Sequence, residues 1–221
     1  MLAFSSLLGN VEGQNIYRIW YDKPASYWEE ALPVGNGRIA AMVFGNPQLE
    51  QIQLNEETVS AGSPYQNYNE EAKAALPEMR RLIFEGKYEE AQNMAATKIL
   101  SQVGNEMPYQ TVGRLNIRYQ DHKKVNNYYR DLDISNAVAV TRYEVDGVEF
   151  TEETFASFTD QLVIRHIKAS KPGTINCELF FNTPMRDPKR SIYGKKGLRL
   201  EGITHGSRYF SGKVHYCADL D

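Results

Sequence analysis

Ala31-Leu-Pro-Val-Gly-Asn-Gly-Arg38, followed a few residues on by Glu50-Gln-Ile-Gln-Leu-Asn-Glu-Glu-Thr58, decides the reading of this chain. Gly35 and Gly37 flank Asn36, and without a Cβ each can take positive φ, so the backbone can reverse there. Residues 39–44 form a short, nearly all-apolar run closed by Gly45 and Pro47, which predicts a strand buried on both faces. Leu49, Ile52 and Leu54 then stand among Gln48, Glu50, Gln51 and Gln53, the pattern of a half-buried strand that delivers Asn55, Glu56 and Glu57 to its far end. The connection between the two strands is short, so they are expected to pair as a hairpin. Antiparallel pairing would set Asn55 and Glu56 beside the Gly35-Asn36-Gly37 turn. Polar groups on a rigid strand at a loop mouth are a common way to present function. Asn36, Arg38, Asn55 and Glu56 are therefore the candidate rim residues.

Outward from this hairpin, period-two patterning continues. Leu115, Ile117 and Tyr119 alternate with Arg114, Asn116 and Arg118. Asp146-Gly147, between the apolar-alternating stretches 137–145 and 148–155, is the best hairpin signal and predicts a type I′ turn. Lys171-Pro-Gly173 separates 162–169 from 174–181. Residues 182–196 are polar and hold Pro184 and Pro188, which predicts a long loop, with strands following at 198–203 and 208–218. The fold class is mainly β: an antiparallel β-sandwich with one short helical insertion at about 69–100. In that insertion Pro77 is placed to open a helix, Met79, Leu82 and Ile83 fall at helical spacing, and Gly86 can close it in the left-handed conformation. Tyr88, Ala91, Ala95 and Ile99 make a second helical stripe, expected to pack the pair against the sandwich.

The 221 residues carry a net charge of −3, which argues against a nucleic-acid surface or an anionic membrane as partner. The 14 Tyr outnumber 9 Phe and 2 Trp, and strand propensity explains that bias before any ligand contact is needed. No Cys/His spacing matches a metal site, and no cofactor is implied. Cys177 and Cys217 are expected to be buried free thiols, with a bridge as the alternative in an exported protein. Leu2, Ala3, Phe4, Leu7 and Leu8 form an apolar block, and Val11-Glu-Gly13 supplies small residues before Gln14. This reads as residues 1–14 being the remnant of a signal peptide whose start lies upstream, the alternative being a frayed terminus.

Acid–base hydrolysis needs two carboxyl groups set apart across a bond. Glu56 and Glu57 are adjacent and would point to opposite strand faces, as would Glu152 and Glu153. Asp131 and Asp133 share a face. A solvated acidic face is the expectation for each of these pairs. His122, His166, His205 and His215 stand singly, with no Ser or Cys motif beside them, and His166 is expected to be a half-buried structural residue.

Trp20-Tyr-Asp-Lys-Pro-Ala25, Glu30-Ala-Leu-Pro-Val-Gly-Asn-Gly-Arg38, Ala41-Met-Val-Phe-Gly45 and Gln53-Leu-Asn-Glu56 resemble the start of glycoside hydrolase family 95, the inverting α-L-fucosidases. The likeness continues in order through Leu76–Gly86, Tyr88–Gln92, Tyr109-Gln110, Tyr129–Asp133, Asp146–Val148 and Phe155–Ser157 with Asp160-Gln161. The resemblance implies the N-terminal super-sandwich domain of such an enzyme, residues 15–221, truncated at its C-terminal end. It further implies export to the periplasm or beyond, fucosylated or galactosylated glycans as substrates, and an (α/α)6 barrel as partner. The family's acid, base and asparagine helpers belong to that barrel, so no residue here is carried over as catalytic, and the chain alone is expected to be inactive. Ser60 and Arg114 depart from the family pattern, which has an aromatic and an acid there. Two other readings stand beside it: a sugar-binding sandwich using Trp20 and Trp28, and a purely structural domain.

Overall fold

In the computed structural model of the chain, residues 17–62, 67–101, 107–206 and 211–221 are described. The apolar leader, residues 1–14, lies outside them. The chain divides into two compact units, Met1–Glu56 with Arg114–Asn182, and Glu57–Gly113 with Thr183–Asp221.

The first unit is a sandwich of two five-stranded antiparallel sheets. One sheet runs β1 (Arg18–Tyr21), β6 (Asn126–Asp133), β7 (Val138–Val145), β8 (Val148–Ser157), β9 (Leu162–Ala169). The other runs β10 (Cys177–Asn182), β5 (Gly113–Tyr119), β4 (Leu49–Glu56), β3 (Ile39–Val43), β2 (Leu32–Gly35). Leu32, Val34, Ala41, Val43, Ile52 and Ile117 from the second sheet and Ala139, Tyr143, Val145 and Phe150 from the first are buried. Removing that apolar area from water is the main force holding the layers together.

Several expectations hold. Asp146 (φ 50°) and Gly147 (φ 76°) both take left-handed backbone between Val145 and Val148, as a type I′ turn requires. β3 and β4 form the expected hairpin, with Ile39 opposite Glu56 and Ala40 opposite Asn55. Others need correction. Of Gly35 and Gly37, which flank Asn36, only Gly37 has positive φ, at 93°. Gly35 instead closes β2 opposite Ala40, and a Cβ there would sit 3.2 Å from the Ile39 carbonyl oxygen. β3 is not buried on both faces: Ala41 and Val43 point into the core, while Ala40 is exposed, because each sheet of a sandwich has one outer face.

In the second unit, α1 (Ala72–Phe84) starts five residues before Pro77. Asn69 starts it: its carbonyl accepts from Ala72 N and its side-chain oxygen from Glu71 N. Pro77 sits inside the helix, on the exposed side. Gly86 (φ 74°) ends the helix as expected, with Lys87 N bonding back to the Leu82 carbonyl. α2 (Tyr88–Met94) runs on into a π turn at Ala95–Ile99. Of its stripe Ala91 is buried but Tyr88 is exposed. The predicted loop at 182–196 is largely a strand, β11 (Arg186–Tyr193), the edge of a three-stranded sheet with β12 (Gly197–Ile203) and β13 (His215–Leu220). The edge position explains the error. β11 is exposed throughout, so it shows no alternation, and Pro188 falls at a register irregularity where no ladder bond is lost. The predicted start of the last strand, at 208, lies outside the described residues. Both cysteines are free thiols, Cys177 half-buried and Cys217 exposed, so neither is the buried core thiol expected.

Candidate functional site

The four predicted rim residues do come together, at one end of the first unit. The β2–β3 turn is tied down by Asn36, whose side-chain oxygen accepts from Arg38 N (3.1 Å) and Ile39 N (2.9 Å). Its amide nitrogen donates to the Ser157 carbonyl at the end of β8, 2.8 Å away, bridging the two sheets. Asn36 therefore builds the corner and has little left to offer a ligand. Arg38 is the accessible member of a pair with Glu56: its Nε lies 3.2 Å from Glu56 Oε1, and its side chain is 56% exposed against 19% for the glutamate. Asn55, opposite Ala40, is half-buried next to them. A charged pair that water already reaches can turn toward an incoming polar group at small cost.

Glu57 is exposed as expected, but Glu152 is not on a solvated face, and it is joined by Glu50, which no pairing in the sequence singles out. Glu50 is 0% exposed and Glu152 is 1% exposed, and they meet between the sheets on one guanidinium. Arg165 Nη2 donates to Glu50 Oε2 (2.8 Å) and to Glu152 Oε2, and its Nη1 donates to Thr154 Oγ1 (2.7 Å). Glu50 Oε1 accepts from the backbone of Gly45 (2.8 Å) and Gln51 (2.9 Å). Glu152 Oε1 accepts from the hydroxyls of Tyr119 (2.5 Å) and Tyr143 (2.7 Å). Each of the four carboxylate oxygens thus has a donor, which is what allows buried charge to be tolerated. Burial pushes the Glu50 carboxyl above its ordinary range against the pull of Arg165. Burial, followed by the Glu152 charge, raises both tyrosine hydroxyls far beyond theirs, so they stay neutral donors.

Gly45 fixes this cluster in place. It holds φ at 72°, its carbonyl accepts from Tyr128 Oη at 2.6 Å, and a Cβ on it would fall 2.8 Å from both Arg130 Cδ and Tyr128 Oη. Arg130 stacks on Tyr21 at 4.0 Å and donates to the carbonyls of Lys23 and Glu30. His122, singled out by no pattern, closes the cluster at its other side. Its ring stacks on Tyr119 at 4.3 Å and packs on Phe150 at 4.4 Å. Nδ1 lies 3.0 Å from the Pro47 carbonyl, which can only accept, so Nδ1 carries the proton. Burial lowers the His122 pKa and keeps the ring neutral. His166, by contrast, is exposed and faces Glu153 at 3.3 Å, not half-buried.

Asp131 and Asp133 do share a face, but neither is solvated. Arg18 Nη1 lies 2.6 Å from Asp131 Oδ2 and its Nη2 lies 3.5 Å from Asp133 Oδ2. Arg142 approaches Asp131 Oδ1 at 3.7 Å. Among the described residues, no group of His, Cys, Asp and Glu side chains is placed to hold a metal ion, and no helix is long and apolar enough to cross a membrane. A shallow cavity of about 320 Å³ opens beside His122, between Leu49, Arg118 and Lys123.

Fold and site define a β-sandwich domain whose buried carboxylates Glu50 and Glu152 are spent on structure and which carries the Arg38–Glu56 pair on a hairpin corner. The chain matches the glycosyl hydrolase family 65, N-terminal domain, over residues 19–218, and it belongs to that family. It is 37% identical over 181 residues to alpha-L-fucosidase 2 of Arabidopsis thaliana, a match covering 79% of this chain and 21% of that protein. It is 26% identical over 162 residues to probable alpha-fucosidase A of Aspergillus niger (69% and 20% covered) and 25% identical over 174 residues to that of Aspergillus oryzae (74% and 23%). The chain therefore spans about a fifth of the length of these curated relatives.

Proposed function

We propose that this chain is the non-catalytic sandwich region of an exported, family 95-type α-L-fucosidase, and that it supports an (α/α)6 barrel which carries the acid and the base. The observation that carries this reading is the state of its carboxylates. The pair that meets between the sheets, Glu50 and Glu152, is locked on Arg165 where no glycan reaches, and Asp131 is buried beneath Arg18. An inverting mechanism needs one carboxyl to hold a proton for the leaving oxygen and another to activate water across the sugar, both open to substrate. The 37% identity to alpha-L-fucosidase 2 supports the fucosidase class, and the order of motifs from Trp20 onward supports the finer family. In this reading the Asn36–Arg38–Asn55–Glu56 corner faces the barrel, with Arg38 and Glu56 at the pocket rim and Asn36 holding the turn. The apolar leader and the Val11-Glu-Gly13 step are the support for export.

Supplying the barrel tests this. The chain joined to a family 95 barrel is expected to hydrolyse 4-nitrophenyl α-L-fucoside, with the barrel alone poorly soluble or weakly active. Full activity and stability of the barrel without the sandwich would refute the supporting role. Amino-terminal sequencing of the exported protein is expected to show that the apolar leader has been removed.

A further inference from the structure

The outer face of the β1–β6–β7 sheet carries a feature that neither the corner nor the interior cluster uses. Arg18 and Asp131 are bonded side chain to side chain, so both leave the sheet on one face. Trp20 stands opposite Asp131 in the register and leaves on that face too. Its ring lies 6.3 Å from the Tyr129 ring with the planes only 20° apart, so the two form a continuous aromatic step. Arg142, opposite Tyr129 on β7, flanks the step. Arg130, between them in sequence, turns to the other face and is buried. Trp20 is 61% exposed, a large apolar surface left in water on an edge strand. Such a residue in a sandwich is more informative than an exposed leucine, because burying it elsewhere would have gained more.

We infer that Trp20 and Tyr129, with Arg18 and Arg142, form a binding platform for a neutral pyranose unit of a glycan, separate from the Arg38–Glu56 corner. A pyranose presents one apolar C–H face and a rim of hydroxyls, and this platform answers both. The indole supplies the apolar wall. The two guanidinium groups supply donors whose positions are set by Asp131, fully buried beneath them. The charges at the platform balance, Arg18 and Arg142 against Asp131 and Asp133, which suits a neutral sugar and not a polyanion. A dry protein interface fits less well. Interface centres are depleted in charged groups, and covering these ion pairs without replacement hydrogen bonds would cost their hydration. A sugar brings hydroxyls that replace it. The choice of a fucoside as first probe rests on the proposed hydrolase reading; the platform itself does not.

Saturation-transfer NMR on the 221-residue chain tests this with methyl α-L-fucopyranoside, methyl β-D-galactopyranoside and cellohexaose as probes. At least one sugar is expected to receive strong transfer at its ring C–H protons. Trp20→Ala should weaken that binding about tenfold, Trp20→Phe and Arg142→Gln should weaken it less, and Trp28→Phe should leave it unchanged. Near-UV circular dichroism confirms that each variant is folded. No transfer to any of the three sugars overturns the inference, as does equal transfer in Trp20→Ala. So does a result in which Trp20→Ala leaves the sugars unaffected but breaks co-elution with the barrel, which would make the step a protein contact. Failure of the fucosidase reading is separable: sugar binding by the chain with no fucoside hydrolysis by the joined enzyme sinks only that reading.

Discussion

Arg165 between the sheets and Arg38 at the mouth of the first hairpin both pair with glutamate, yet their surroundings differ in every respect that decides a role. The Arg165 side chain is 8% exposed, and its carboxylate partners are held from several sides by backbone amides and tyrosine hydroxyls. The Arg38 side chain is 56% exposed, with Glu56 beside it. A buried guanidinium shared by two carboxylates can neither rotate toward a substrate nor be lost without leaving charge stranded. A pair whose guanidinium water already reaches contributes little to stability. The same two residue types therefore make a structural joint in one place and an adaptable surface in the other.

Arg165→Met should produce the largest effect. It leaves Glu50 and Glu152 without their counter-ion inside the sandwich, and a loss of about 3–5 kcal/mol in urea-unfolding free energy is expected. Glu50→Gln, which keeps an acceptor for Gly45 and Gln51 and leaves one carboxylate for one guanidinium, should cost far less. Equal losses would mean that the charges are not the reason for the cluster. Gly45→Ala comes next. It forces a Cβ onto left-handed backbone and into Arg130 and Tyr128, for a cost of roughly 1–3 kcal/mol or more.

His122 sharpens the comparison through pH. Its folded pKa is lowered by burial, so below the unfolded value the unfolded chain binds more protons than the folded one. Its contribution to stability is therefore present above about pH 6.5 and is lost as pH falls through the folded value. Urea midpoints measured across that window should fall less steeply with acid in His122→Phe, which keeps an aromatic ring against Tyr119. A slope identical to that of the wild type would place the titration elsewhere. Arg38→Ala should have the smallest effect, less than about 1 kcal/mol, as a surface pair allows. A loss comparable to that of Arg165→Met would erase the distinction between the two regions.

Much of the sandwich was legible because alternation and turn chemistry are local. Asp146-Gly147 fixed one hairpin, and the short Gly45-Asn-Pro47 link fixed the register that puts Glu56 beside Arg38. The interior cluster was hidden by the same logic. Glu50 shares the inward period of Ile52, and Glu152 that of Phe150 and Thr154, but a glutamate on an apolar face reads as a break until its partner is known. That partner, Arg165, comes more than a hundred residues after Glu50, and no spacing rule reaches it. β11 was hidden for the opposite reason: an exposed edge strand has no buried face to leave a pattern.

The measurement that bears most directly on the proposal that the buried acidic residues hold the fold while hydrolysis is carried by the barrel is an assay of the purified chain alone on 4-nitrophenyl α-L-fucoside. Release of nitrophenol at the rate of a heat-killed control is the predicted result. Turnover well above that control, lost in Glu56→Gln, would contradict it and make the exposed corner a catalytic site.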